Sequence, residues 1–76
     1  MNMEKELILK KFGEHIKELR ESAGLSQDDV VLNGYKITKG TVSDIENGKR
    51  NCSLTTLLDL AKGLNMSPKE LLDIKF

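Results

Sequence analysis

The sequence predicts an all-α bundle of five short helices, and three observations carry that prediction. Apolar residues recur at helical spacings of three and four positions. Ser or Thr stands at four of the expected helix starts (Ser26, Thr38, Ser53, Ser67) and glycine at four of the stops (Gly24, Gly34, Gly48, Gly63). No segment alternates apolar and polar residues for long, and aromatic residues make up only 4% of the chain, so strands have little support.

The first helix is expected over about residues 4–22. Ile8, Phe12, Ile16 and Leu19 fall on one face, and Lys10, Glu14, Lys17, Glu18 and Glu21 supply a wet one. Gly24 suits the left-handed position that closes a helix, and Leu25 can pack back on the last turn. Ser26 with Asp29 forms a capping-box pattern that opens a second helix over about 27–33, ended by Asn33 and Gly34. Tyr35, Lys36 and Ile37 connect it to a third, about 39–47, capped by Thr38 and closed by Asn47 and Gly48, with Val42 and Ile45 facing inward. Ser53 caps a fourth helix whose Leu54, Leu57, Leu58 and Ala61 form an apolar face, stopped by Gly63. The fifth has the strongest local signal: Ser67 as N-cap, Pro68 at the first helical position and Glu70 completing the box. It is expected to run through Leu71 and Leu72 toward Phe76.

Seventy-six residues leave room for one domain, 1–76, with one core. A domain this small buries only about 60% of its unfolded surface, which gives self-association a physical motive. The single Cys52 can form no internal disulfide, and no apolar run approaches the roughly 20 residues that span a bilayer. Charged residues interrupt the N-terminal MNMEKELILKKF, which excludes the apolar centre of a signal peptide, so a cytoplasmic location is expected. Twelve basic and twelve acidic side chains give zero net charge, which counts against a nucleic-acid partner. Distribution matters more than the sum: Lys36, Lys39, Lys49 and Arg50 outnumber Asp44 and Glu46 between positions 36 and 50.

The segments IKELRESAGLSQ and ITKGTVSDIENGKRNCSLTTLLDLAKGLNMSPKELL resemble the Cro/C1-type helix-turn-helix domains of phage repressors, also called the xenobiotic-response-element family. The resemblance covers about residues 12–73, with 1–11 as an N-terminal extension of the first helix. It implies a lambda-repressor-like five-helix bundle that lays its third helix in the DNA major groove. One departure is visible: the stretch from Leu25 to Ile37 is one residue longer than the family spacing. The extra residue falls within Gly34, Tyr35 and Lys36, and Val31 stands where the family commonly has a small Ala.

The resemblance also assigns roles. Outward positions on the third helix, Lys39, Gly40, Ser43 and Asp44, are expected at base edges. Lys39 can donate to guanine, Asp44 can accept from a cytosine amino group, Ser43 can do either, and Gly40 allows close approach. Gln27, Thr38, Thr41, Asn47, Lys49, Arg50 and Asn51 are expected at the phosphate backbone, with Gln27 also bracing the third helix. Arg20 and Glu46 align with a paired arginine and glutamate that tie the first helix to the end of the third. Leu71, Leu72, Ile74 and Phe76 are expected at the interface of a twofold homodimer, whose recognition helices would lie about one DNA turn, roughly 34 Å, apart on an inverted repeat. Leu7 and Leu9 offer a second contact surface.

No catalytic machinery is expected. His15 has no metal-spaced partner and Cys52 no general base, and there is no glycine-rich phosphate loop, so no metal, cofactor or small-molecule ligand is implied. Two functional classes follow: a sequence-specific double-stranded DNA-binding regulator (phage-type repressor, restriction-modification controller or antitoxin), or a protein-interaction module that keeps the fold without the DNA contacts.

Overall fold

Local chemistry at each helix start is realised as bonds. The computed structural model describes residues 3–76 and, among them, five helices: α1 (Met3–Ser22), α2 (Gln27–Asn33), α3 (Lys39–Glu46), α4 (Leu54–Gly63) and α5 (Pro68–Leu71). Ser26 Oγ accepts from the Asp29 amide at 3.0 Å while the Asp29 carboxylate accepts from the Ser26 amide at 2.8 Å, a complete capping box. The backbone bond from Ser26, followed by its hydroxyl, holds the Asp29 carboxyl below the usual carboxylate range. Ser67 and Glu70 repeat the arrangement at α5. Thr38 and Ser53 cap α3 and α4 through single bonds to the Thr41 and Thr56 amides, both 3.2 Å. Gly24 and Gly48 take φ of 72° and 71° just past α1 and α3, where a Cβ would be strained.

Two stops depart from expectation. Gly63 lies inside α4, and the left-handed residue beyond it is Asn65, at φ 57°. Gly63 instead permits contact between helices: a Cβ there would stand 2.5 Å from the Val30 carbonyl oxygen and 2.7 Å from Val30 Cγ1. Asn33 Nδ2 then donates to the Gly63 carbonyl at 3.2 Å, tying the end of α2 to the end of α4. Helix α5 ends at Leu71 with Leu72 as its cap, short of the expected run toward Phe76.

The core joins Phe12 and Ile16 of α1, Val30 of α2, Ile37 of the turn, Val42 and Ile45 of α3, Leu60 and Ala61 of α4, and Leu64 and Leu71. Each large apolar side chain buried there contributes about 1.5–3 kcal/mol. In outline α1 packs on α3, α3 on α2, α2 on α4 and α4 on α5.

Three expectations about packing are corrected. Ile8 is 39% exposed, because a 20-residue helix spans about 30 Å while α2, α3 and α4 span roughly 10–15 Å, so the first turns of α1 overhang the core. On α4, Leu54 and Leu58 are exposed, whereas Leu60 and Leu64 are buried. Leu60 lies one turn before Gly63, which meets Val30 of α2 at backbone distance, and Leu64 caps the helix just beyond it. Leu71, expected at a subunit interface, is 0% exposed and closes the chain's own core. Leu71 is the buried residue of the single-turn α5. No helix among the described residues is long and apolar enough to cross a membrane.

Candidate nucleic-acid interface

Helix α3 reaches the surface from a buried support. Arg20 Nε donates to Glu46 Oε2 at 2.6 Å and Nη2 to Oε1 at 3.1 Å, a two-pronged bond between side chains only 11% and 4% exposed. Arg20 Nη1 also donates to the Leu25 carbonyl at 2.8 Å, and Gln27 Nε2 to Glu46 Oε1 at 3.2 Å. One carboxylate therefore joins α1, α2 and α3. The hydrogen bond to Glu46, against the opposing effect of burial, raises the Arg20 guanidinium above its ordinary value. The pair is internally neutralised, so Glu46 does not offset the surface charge of the interface. Gly13 completes the joint. A Cβ at Gly13 would collide with the Ile45 carbonyl oxygen and stand 2.7 Å from that of Glu46, so α1 crosses the end of α3 at backbone contact distance.

At the other end of α3, the turn with the extra residue hangs from Asp59 on α4. Its Oδ1 accepts from the Tyr35 amide at 2.5 Å, and its Oδ2 accepts from the Lys36 and Ile37 amides at 2.7 and 2.6 Å. Partial burial pushes this carboxyl up, but the three amides and the charge of Lys62 outweigh it and hold it below the usual range. Three consecutive amides that no helix can satisfy thus find one acceptor immediately before the Thr38 cap.

Between these supports lie the expected readers. Val42 and Ile45 are buried, Lys39 and Gly40 exposed, and Ser43 and Asp44 half-buried. Lys39 Nζ lies 3.4 Å from Asp28, and Arg50 Nη2 3.7 Å from Asp44. Such exposed pairs are worth about 0–1 kcal/mol, so they hold Lys39, Arg50 and Asp44 only weakly. Asn47 Nδ2 donates to Ser43 Oγ at 3.4 Å, and the Thr38 and Thr41 hydroxyls share a bond of 3.0 Å. Lys49, Arg50 and Asn51 stand exposed beyond the turn at Gly48. Gln27 is half-buried with its amide nitrogen on Glu46, the bracing half of its expected role.

The family model described as helix-turn-helix matches residues 16–71. The chain belongs to the Cro/C1-type helix-turn-helix family. Its helix-turn-helix is the α2–turn–α3 unit just described. Over 63 residues, 82% of this chain and 76% of the other protein, it is 35% identical to "Control protein C.BamHI" of Bacillus amyloliquefaciens. Over 62 residues, 80% of this chain and 82% of the other, it is 39% identical to "Control protein C.MunI" of a Mycoplasma species. The crystal structure of the restriction-modification controller protein C.AhdI from Aeromonas hydrophila superposes with a TM-score of 0.79 at 38% identity, covering 87% of this chain and 98% of that one.

Asp59 and Gly13 escape a reading of the sequence, which places Gly63 only as a helix stop. Glycines inside helical patterns do carry a signal, since each costs about 1 kcal/mol relative to Ala and implies a compensating close contact. Asp59 carries none, because its partners are 22 to 24 positions away. The remaining singled-out residues are structural in their surroundings. His15 Nε2 lies 3.0 Å from the Glu70 carbonyl, linking α1 to α5. Burial pushes the Cys52 thiol up, away from the reactive thiolate. Among the described residues no group of His, Cys, Asp or Glu is arranged to hold a metal ion.

Proposed function

We propose that this chain is a sequence-specific, double-stranded DNA-binding transcription regulator of the restriction-modification controller kind, acting in the cytoplasm and not as an enzyme. The observation that carries the reading is the exposed face of α3, Lys39 to Asp44, followed by the Asn47–Asn51 exit and mounted on the buried Arg20–Glu46–Gln27 network. Rigid support of this kind suits base readout, which needs side chains placed to within hydrogen-bonding distance. Lys39, Gly40, Ser43 and Asp44 meet base edges, while Thr38, Thr41, Asn47, Lys49, Arg50 and Asn51, with Gln27, meet phosphates. Relatives that bear the name of control proteins support the same class.

The regulator acts as a homodimer on an inverted repeat. Ile8, Leu54, Leu72 and Phe76 leave large apolar side chains exposed around a groove of about 200 Å³ between α1, α4 and the C-terminal segment, and Leu7 is exposed on α1 as well. Ile74 is half-buried. A patch of this kind on so small a surface marks a contact site, and a second copy of the chain covers it.

Selection of bound duplexes from a random pool, followed by titration across salt, tests the reading. An inverted repeat should emerge, with the logarithm of affinity falling against that of salt at a slope of about −5 or steeper. Lys39→Ala should relax preference at one position of each half-site by about 1–3 kcal/mol. Recovery of no duplex at low salt would sink the proposal.

A further inference from the structure

The longer α2–α3 turn does more than accommodate an extra residue. It holds Tyr35 out into solvent, 76% exposed, and gathers charge around it. Lys36 Nζ lies 5.5 Å and Lys62 Nζ 5.6 Å from the centre of the Tyr35 ring, so one ring draws together ammonium groups from the turn and from the far end of α4. Beneath them runs an open groove of about 730 Å³, whose lining includes Tyr35, Lys36, Lys62, Thr41, Arg50 and Asp59. Both Asp59 oxygens accept backbone amides and Arg50 stands 3.7 Å from Asp44, whereas Lys36 and Lys62, which lie over the Tyr35 ring, are exposed to an incoming ligand.

The groove does not stand apart from α3. Thr41 and Arg50, already placed at the DNA backbone, line it too, so a strand that meets those two residues passes its mouth. We propose, resting on the duplex binding argued above, that this Asp59-pinned turn is a second contact with the DNA backbone. Lys36 and Lys62 take phosphates beyond those met by the exit of α3, and Tyr35 fixes where the two lysines stand. The surface carries no base readout. Its contribution is affinity and register, and because Asp59 has already ordered the turn, little ordering remains to be done on binding.

Titration of the full chain with a duplex selected for binding, over about 50–200 mM salt, separates the possibilities. The double variant K36Q/K62Q should bind the same sequences with a salt slope shallower by about 1.8, near 0.9 for each phosphate lost. Tyr35→Ala should move the slope the same way by a smaller amount. K5Q/K69Q, which removes equal charge from α1 and α5, should leave the slope unchanged. All four lysines are exposed, and matching thermal melts establish that each variant is folded. If wild type binds but K36Q/K62Q keeps its slope, or K5Q/K69Q loses as much, the second contact is refuted while the regulator stands. Binding of an acidic protein by the same lysines would not rescue it. If wild type binds no duplex, the underlying function fails first.

Discussion

At its C-terminal end α3 is held by a buried carboxylate ringed by Arg20 and Gln27, whereas at its N-terminal end an exposed turn hangs from the carboxylate of Asp59. Both devices gather several donors on one acidic side chain. Their surroundings make them unequal. Around Glu46 water is excluded, so the bonds are strong, insensitive to salt, and costly to break from one side. Around Asp59 water is near, so the amides it holds are solvated when it lets go and the loss is smaller. The end beside α1 thereby fixes the axis of the recognition helix, whereas the entrance hangs from an acceptor on a different helix, α4.

The comparison breaks most visibly at the buried end. Arg20→Ala leaves the Glu46 charge buried without its partner and should cost about 3–5 kcal/mol, read as the urea midpoint of unfolding. A loss below about 1 kcal/mol would mean that water reaches the pair. Gly13→Ala tests the same joint through sterics. Overpacking against the α3 carbonyls costs about 1–3 kcal/mol and better helix propensity returns about 1, for a net loss of up to roughly 2 kcal/mol.

At the entrance, Asp59→Ala should cost about 1–2 kcal/mol and speed hydrogen exchange of the Tyr35, Lys36 and Ile37 amides ahead of the core. The acid dependence has a definite sign. Because the folded carboxyl titrates below the unfolded value of about 3.9, its contribution is complete above that pH and is lost as pH falls through the lower folded value. Urea titrations of wild type and Asp59→Asn from pH 7 to pH 3 should therefore converge toward the acid end, and curves that stay parallel would assign the acid loss elsewhere. Thr38→Ala, which removes the cap bond to the Thr41 amide and the exposed bond shared with the Thr41 hydroxyl, should have the smallest effect, about 1 kcal/mol by thermal melting.

How far the fold can be read from the sequence follows from the reach of each interaction. The caps at Ser26, Thr38, Ser53 and Ser67 are legible because donor and acceptor lie within three residues. The outward face of α3 is legible for the same kind of reason, since Val42 and Ile45 must both turn inward and leave Lys39, Gly40, Ser43 and Asp44 outside. Helix α4 shows the limit. Leucines surround it on several sides, and its own periodicity does not say whether Leu54 and Leu58 or Leu60 and Leu64 meet the core.

By itself, then, the sequence determined where the helices begin and which side of α3 faces outward, while its resemblance to a known family implied the helix-turn-helix bundle and the pairing of Arg20 with Glu46. Only the tertiary structure decided that Leu71 is core and not interface, that Gly13 and Gly63 are contact points between helices, and that Asp59 anchors the lengthened turn. The division is physical. Caps and helical faces depend on neighbours a turn or less away, whereas burial and close backbone approach depend on which distant segment arrives opposite, and the pattern of one helix holds no record of its partner.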